Sequence, residues 1–457
     1  MSTRHRLSWN EIQQFQKDQL NTILELFEKH GRVAQLNMLG QNLTLICEPE
    51  IIHQLLLKHP HQLHRDPFTY RVFKRMVGEG VFIAEGEAWR KKRKLIQPIF
   101  HAAHIHDFTN TFVKQTQEMI ARWPIGATIQ VEAEMMGLAL RIICQTMFGT
   151  KIDGLVPQIS QLMHQITHQA EAQLRPPLPD WVPTFGMWHQ RKAIQQLRQL
   201  LLGIIRTRQA EIESGATIEP DLLTMLLTAR DEDGKPLSDF ELLDECLTIF
   251  VAGHETTAVA MTWTWILLLQ HPDILNRLKD EVNQLFGTDP VNYERVGELS
   301  YLAQVVKESM RLFPPAYGFG RTPTESFSID GVDFNKGDVV IISSYGLHRQ
   351  DEFFPDPLTF NPDRFHPDNP QLGKYSYLPF GAGSRTCVGN AFATLEMQVI
   401  LATLIQSVDF TLIPGQTFEP EIQVTLRPKD GLKVQVKRKK VQPSTSHAPL
   451  AALSNLR

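Results

Sequence analysis

Cys387 is the residue of this chain best placed for chemistry. It sits in FGAGSRTCVG, Phe380 to Gly389, with Arg385 two residues before the thiol, Gly389 two after, and an apolar run beginning near Asn390. Glycine permits positive φ and close backbone approach, so such a loop can aim its amides at the sulfur. The start of a following helix adds partial positive charge, and together these would hold the sulfur as a thiolate. A thiolate presented in this way is a nucleophile or a metal ligand. The competing reading is a small apolar residue buried in a tight turn, the usual fate of a lone cysteine.

A second group is AGHETT, Ala252 to Thr257, in what reads as one long helix. A glycine in a helix interior costs about 1 kcal/mol relative to alanine, and threonines are restricted there by their branched Cβ. A helix that accepts both needs space and a hydroxyl at that point. Thr256 alone would bond back to the carbonyl four residues earlier, but Gly253 and Glu255 beside it point to chemistry. His254 is expected to pack or to face solvent rather than to act as a ligand. A third group is Glu308 with Arg311, which share a helical face at i, i+3 and are followed by Arg321 and by Arg364 in FNPDRF. Trp89 and Arg93, at i, i+4 in WRKKR, place an indole N–H and a guanidinium together. Arg90, Lys91, Lys92 and Lys94 then point elsewhere, either as a solvated basic surface or as a docking patch whose charge steers an acidic partner.

The elements that must position these groups are mostly helical. Ser238 and Glu241 form a capping box ahead of a run in which Leu242, Cys246, Ile249, Phe250 and Gly253 recur on one face, continuing past Trp265. From Ile51 to about Phe286 apolar residues recur at three and four residue spacing, with few strand signals. Before that, Ile12, Phe15, Leu20, Ile23, Leu24 and Phe27 read as one amphipathic helix, followed by a strand near Leu43 to Cys47. NKGDVVIISS, Asn335 to Ser344, reads as a turn and a buried strand, so a small sheet is expected from distant parts of the chain. The four prolines of Arg175 to Gly186, RPPLPDWVPTFG, mark a loop between helices whose Trp181 and Phe185 could line a channel or touch a membrane. Pro355 to Pro370 is irregular. From Lys437 to Arg457 a basic run and a Pro/Ser-containing segment read as a mobile tail, leaving residues 1–436 as a single large domain.

The chain has 457 residues, 42% of them apolar and 21% charged, enough for a sizeable core, and a net charge of −4 that gives no reason to expect nucleic acid. Four cysteines, Cys47, Cys144, Cys246 and Cys387, lie far apart without paired spacing, which argues against a disulfide framework or zinc site and for a reducing compartment. The polar N-terminus and the interrupted apolar runs argue against a signal peptide and a membrane span. A cytoplasmic monomer is expected.

Phe380, Gly383, Arg385, Cys387 and Gly389 match Phe-x-x-Gly-x-Arg-x-Cys-x-Gly, and the loop resembles the haem-binding loop of the cytochrome P450 family. Three further motifs follow that family's order between Ile51 and Val434: Ala252, Gly253, Glu255 and Thr256 on a distal helix, Glu308 and Arg311 as Glu-x-x-Arg, and Trp89 with Arg93 as Trp-x-x-x-Arg. The resemblance implies a mainly α fold with a small β-rich region, haem b (iron protoporphyrin IX), and Cys387 as its thiolate ligand. It further implies that Glu255 and Thr256 relay protons, with Gly253 and Ala252 beside the oxygen site. Glu308, Arg311 and Arg364 would form a buried triad, with Asp363 where many members have glutamate. Arg93, Arg321, Arg385 and Trp89 would bind the propionates, which want cations and donors.

The implied activity is monooxygenation, hydroxylating or epoxidising a hydrophobic substrate such as a fatty acid or terpenoid. The 70 residues after Cys387 are too few for a fused flavin reductase, so a ferredoxin or flavodoxin type donor with its reductase is expected. Pocket candidates by position are Phe82, Phe250, Ala252, Thr257, Ala316, Tyr317, Phe319 and Leu426. A peroxide-driven or isomerising haem-thiolate enzyme would share Cys387 but would not be expected to keep Glu255 and Thr256. A non-catalytic haem sensor would need no open pocket and no donor patch.

Overall fold

Apolar periodicity through the middle of the chain becomes a stack of helices around one that is apolar on all sides. The computed structural model describes residues 4–149, 154–174, 185–216, 218, 221–369, 373 and 375–439. The helices that matter for the site are α1 (Trp9–Lys17), α2 (Gln19–His30), α3 (Pro67–Val77), α4 (Gly86–Ile96), α5 (Val131–Phe148), α6 (Val156–Leu174), α7 (Phe185–Glu213), α8 (Leu222–Thr228), α9 (Asp239–Gln270), α10 (Ser300–Leu312) and α11 (Asn390–Ser407). Ser238 and Glu241 make the expected capping box at the start of α9, whose 32 residues run about 48 Å. Helices α3, α5, α7, α10 and α11 pack around it.

Apolar residues from the first 64 positions and from residues 319–342 build one sheet. Strands β1 (His5–Arg6), β2 (Val33–Met38), β3 (Gln41–Ile46), β4 (Leu63–His64), β5 (Phe319–Pro323) and β6 (Val339–Ile342) lie in the order β1-β2-β3-β6-β5-β4. The central pair is parallel, Leu43 to Ile46 beside Val339 to Ile342. Three smaller sheets complete a helix-rich single domain with little β structure, as expected. Among the described residues, no helix is long and apolar enough to cross a membrane.

Two expectations change. The first amphipathic run is two helices, because the Asp18 side chain accepts from Asn21 N at 3.2 Å and starts a new one. Nor does a tail begin at Lys437: Lys437 and Arg438 end the strand Lys433–Arg438, where Arg438 Nη2 donates to Ile120 O, Ala121 O and Trp123 O at 2.6 to 2.8 Å. Residues 440–457 and the proline-rich stretch 175–184 lie outside the described residues. That stretch falls between α6 and α7, and Phe185 and Gly186 already belong to α7.

Candidate functional site

The loop that carries Cys387 is held by its own backbone. Cys387 N donates to Phe380 O at 2.9 Å, and Thr386 N and Oγ1 both donate to Gly383 O, at 3.1 and 2.7 Å. Gly383 has φ +73°, and a Cβ there would lie 2.6 Å from Leu56 O, so the loop presses on the π-helical turn Gln54–Lys58 where a side chain has no room. Cys387 is exposed and the other three cysteines are buried. Its sulfur borders open space while protein crowds its other sides, and this burial pushes the thiol up; the Gly389 N–H and the Arg93 charge oppose the shift without reversing it. Burial thus works against the thiolate expected of this loop, and a coordinating metal, which deprotonates a thiol outright, would favour it.

The long helix α9 has one opening. From Glu245 to Leu268 every residue is buried except Ala252, Gly253 and Thr256, which share a face. A Cβ at Gly253 would meet Ile143 Cδ1 at 3.3 Å, so the glycine also lets α5 come close. Thr256 Oγ1 donates to Ala252 O at 2.7 Å. Glu255 is buried beside this strip, its Oε1 accepting from Thr425 Oγ1 at 2.7 Å and lying 3.1 Å from Arg427 Nη2, while its buried Oε2 has no partner. Thr257 turns the other way and donates to Glu396 Oε2 at 3.0 Å, tying α9 to the helix that follows the cysteine loop. Burial raises Glu396 to about 8, partly offset by that hydroxyl. His254 is buried, with Nδ1 3.1 Å from Phe250 O, and packs as expected.

Cations gather at one edge of the cysteine loop. Arg385 lies 4.5 Å over the Trp89 ring, donates to Ala84 O at 2.9 Å and pairs with Glu85. Arg93 Nη1 donates to Thr386 O at 2.8 Å. Arg321 is buried, donates to Gly320 O at 2.7 Å, and is lowered to about 10 by burial and then by repulsion from Arg385. Arg65, which the sequence did not single out, joins them: its guanidinium lies 4.1 Å over Phe82, its buried Nε has no partner, and burial followed by Arg321 and Arg385 drives its pKa well down. Glu85 and Asp66 balance part of this charge, Glu85 Oε1 also accepting from Arg65 N at 2.9 Å. Nothing in the pattern around His64, Arg65 and Asp66 marks them as more than a polar turn. Three guanidiniums crowded against each other call for an anionic ligand.

Behind the loop, Glu308 grips Arg311 at 2.7 and 2.9 Å and reaches Arg364 Nε at 3.2 Å. Arg311 is buried and spends its remaining donors on His348 O, Pro357 O and Thr359 O. The three expected members are thus brought together. Asp363 leaves Arg364 alone and pairs with Arg277 instead, at 2.9 Å. No local pattern marks His348, which accepts from Leu378 N at 2.8 Å and, by burial, is lowered to about 3, so it stays neutral.

The model of the cytochrome P450 family matches residues 2–436. The chain belongs to the cytochrome P450 family. Cyclooctatin synthase of Streptomyces melanosporofaciens is 31% identical over 404 residues, 87% of each chain. Cyclooctat-9-en-7-ol 5-monooxygenase of the same organism is 30% identical, covering 85% of this chain and 84% of that one. A cytokinin hydroxylase of Arabidopsis thaliana is 30% identical, covering 86% and 78%. Among solved structures, the cyanobacterial CYP120A1 with bound retinoic acid superposes with a TM-score of 0.80 at 28% identity, over 91% of this chain and 93% of that one.

Cytochromes P450 bind haem b, and the residues present fit it. The exposed Cys387 sulfur, the uncovered strip on α9 and the partnerless Arg65 Nε supply a metal ligand, a stretch of helix not covered by protein and a cation for a dianionic edge. Phe380 packs on the core at the start of the loop, and Gly389 ends it at the first turn of α11. This P450 is a monooxygenase by family.

Of the pocket candidates, Ala316 is exposed, and Phe82, Tyr317 and Phe319 are half-buried. Phe250, Thr257 and Leu426 are not open to a ligand. Phe250 is fully buried and stacks on Phe148, Thr257 is taken by Glu396, and Leu426 is buried with its carbonyl accepting from Trp263 Nε1 at 2.8 Å. Their apolar character served the core. The basic face of α4 also differs from expectation. Lys92 is buried against Glu245 at 3.1 Å, Arg90 pairs with Glu87, Lys91 with Asp231 and Lys94 with Glu232, so each cation is already matched within the chain.

Proposed function

We propose that this cytochrome P450 inserts oxygen into a hydrophobic terpenoid or fatty acid in the cytoplasm, taking electrons from a separate ferredoxin or flavodoxin type donor and its reductase. The observation that carries the reading is the opening in α9, where Glu255 and Thr256 stand beside the one unburied face between Glu245 and Leu268. When bound, the haem supplies the oxygen-activating chemistry. The chain contributes Cys387 as the iron ligand, and Trp89, Arg93, Arg321, Arg385 and Arg65 as propionate partners. Glu255 is held by Thr425 and Arg427 through Oε1 alone, which leaves Oε2 to exchange a proton with the Thr256 hydroxyl. Thr256 must then leave Ala252 O. This relay has no use in an isomerising enzyme. Ala316, Phe319, Tyr317 and Phe82 support an apolar substrate, as do the names of cyclooctatin synthase, of cyclooctat-9-en-7-ol 5-monooxygenase and of the neighbour that holds retinoic acid.

The test is a reduced carbon monoxide difference spectrum followed by a ligand-shift screen of terpenoids and fatty acids. A thiolate-type Soret band and a spectral shift with at least one class are expected. A band typical of histidine ligation, or no haem, sinks the assignment; turnover supported better by hydrogen peroxide than by a donor system moves it to the peroxide-driven class.

A further inference from the structure

We infer that Glu245 is a positioning residue for the cofactor edge, one oxygen of its carboxylate fixing the segment 78–85 ahead of α4 and the other fixing α4 itself. The inference rests on the propionate partners proposed above. Glu245 is fully buried on α9, about two turns before the open strip begins at Ala252. Its Oε2 accepts from Val81 N at 2.9 Å, and its Oε1 accepts from Lys92 Nζ at 3.1 Å. Neighbours of Glu245 on α9 touch the same segment. Asp244 Oδ2 accepts from Glu79 N at 2.8 Å, and a Cβ at Gly80 would collide with Thr248 Oγ1, so the segment lies directly on the helix.

Both pieces that Glu245 holds reach the cations. From the segment 78–85, the Phe82 ring lies 4.1 Å beneath the Arg65 guanidinium, Ala84 O accepts from Arg385 Nη1 at 2.9 Å, and Glu85 pairs with Arg385. From α4, the Trp89 ring lies 4.5 Å from the Arg385 guanidinium, and Arg93 Nη1 donates to Thr386 O at 2.8 Å. The segment also closes on itself, Ile83 N and Ala84 N both donating to Gly80 O at 2.9 Å, so a displacement of Val81 carries Phe82 and Ala84 with it. On α4, Lys92 directly precedes Arg93. A shift at either oxygen of Glu245 is therefore passed to a guanidinium. A buried ion pair adds little net stability over apolar residues of similar shape. What Glu245 contributes instead is the acceptor that the buried Val81 N–H would otherwise lack.

The experiment separates the acceptor from the charge. Lys92→Met/Glu245→Gln keeps an amide oxygen for Val81 N, whereas Lys92→Met/Glu245→Leu keeps none, and neither carries the buried ion pair. Haem transfer from each holoenzyme to apomyoglobin, and amide hydrogen exchange resolved to Val81, are followed at pH 8. That lies above the value of about 7 to which burial raises Glu245 against the pull of Lys92, so in the parent both oxygens accept. The variant with leucine is expected to lose haem and to exchange the Val81 amide about tenfold faster than the variant with glutamine, which should stay near the parent. Equal haem transfer from the two, even with unequal thermal midpoints, would reduce Glu245 to a structural contact and overturn the inference. One measurement needs no variant to fold: in the parent the Val81 amide should exchange slowly although it lies outside any helix or strand, and rapid exchange there overturns the inference. Absence of the thiolate-type carbon monoxide band in the parent would instead overturn the monooxygenase reading, and the Val81 amide would still decide whether Glu245 holds the segment.

Discussion

Glu308 is the single carboxylate that holds two arginines behind the cysteine loop, and its removal has a predictable cost. Arg311 is fully buried, so Glu308→Gln strands its charge and should destabilise the protein by about 3–5 kcal/mol in urea or thermal unfolding. No loss would show that the backbone carbonyls around Arg311 suffice. At the distal strip, Thr256→Ala and Glu255→Gln should each lower product formation by about 10²-fold with the carbon monoxide spectrum intact; undiminished product would remove them from the relay. Glu396 makes a third prediction. Its folded pKa of about 8 lies above the ordinary carboxylate value of 4.5, so it binds a proton in the folded state that it has lost in the unfolded one. Its contribution is present in full below pH 4.5 and is lost as pH rises through 8. The thermal midpoint should fall between pH 6.5 and 8.5 and fall less in Glu396→Gln; Glu245, raised to about 7 by burial, keeps some slope in both. At this scale, residues with fixed local spacing, Cys387, Glu308 and Trp89 among them, were legible in the sequence. Arg65, Thr425 and Arg427 were not, because their partners lie far along the chain and no local pattern records them.

The cysteine loop works as an element because two glycines are spent differently. Gly381 has φ +69° with nothing within 4 Å of an added Cβ, whereas Gly383 combines φ +73° with Leu56 O at 2.6 Å. Gly381→Ala should therefore cost about 1–2 kcal/mol from conformation alone. Gly383→Ala adds a backbone clash and should cost more and lower haem content on purification; equal costs would mean that the π-helical turn yields freely. Helix periodicity and the capping box made α9 readable from residues alone, since both are local. The break at Asp18 was missed because an aspartate can close one helix and cap the next without disturbing the apolar spacing. Phe250 and Leu426 were assigned to the pocket because an apolar side chain reads the same whether a ligand or the core covers it.

At the scale of the whole molecule, the sheet and the site both join segments that lie far apart along the chain. β3, near residue 45, pairs with β6, near residue 341, and the Thr128–Gln130 strand lies against Lys433–Arg438. Arg65, Arg321 and Arg385 converge from equally remote positions. Contacts of such sequence separation close late and slowly, because loop entropy must be overcome first. Refolding should therefore recover most helical circular dichroism before the carbon monoxide signal can be reconstituted, in a slower phase; simultaneous recovery would show that the helical stack organises the site unaided. The parallel junction of β3 with β6 also sets a timetable for biosynthesis. A ribosome adding roughly 5–20 residues per second exposes β3 long before β6 or Cys387 has been made. During that interval β3 has one unpaired edge, the condition in which nascent strands join the wrong neighbour. Chaperone demand should thus peak before the cofactor can be received, and a supply of haem would not relieve it.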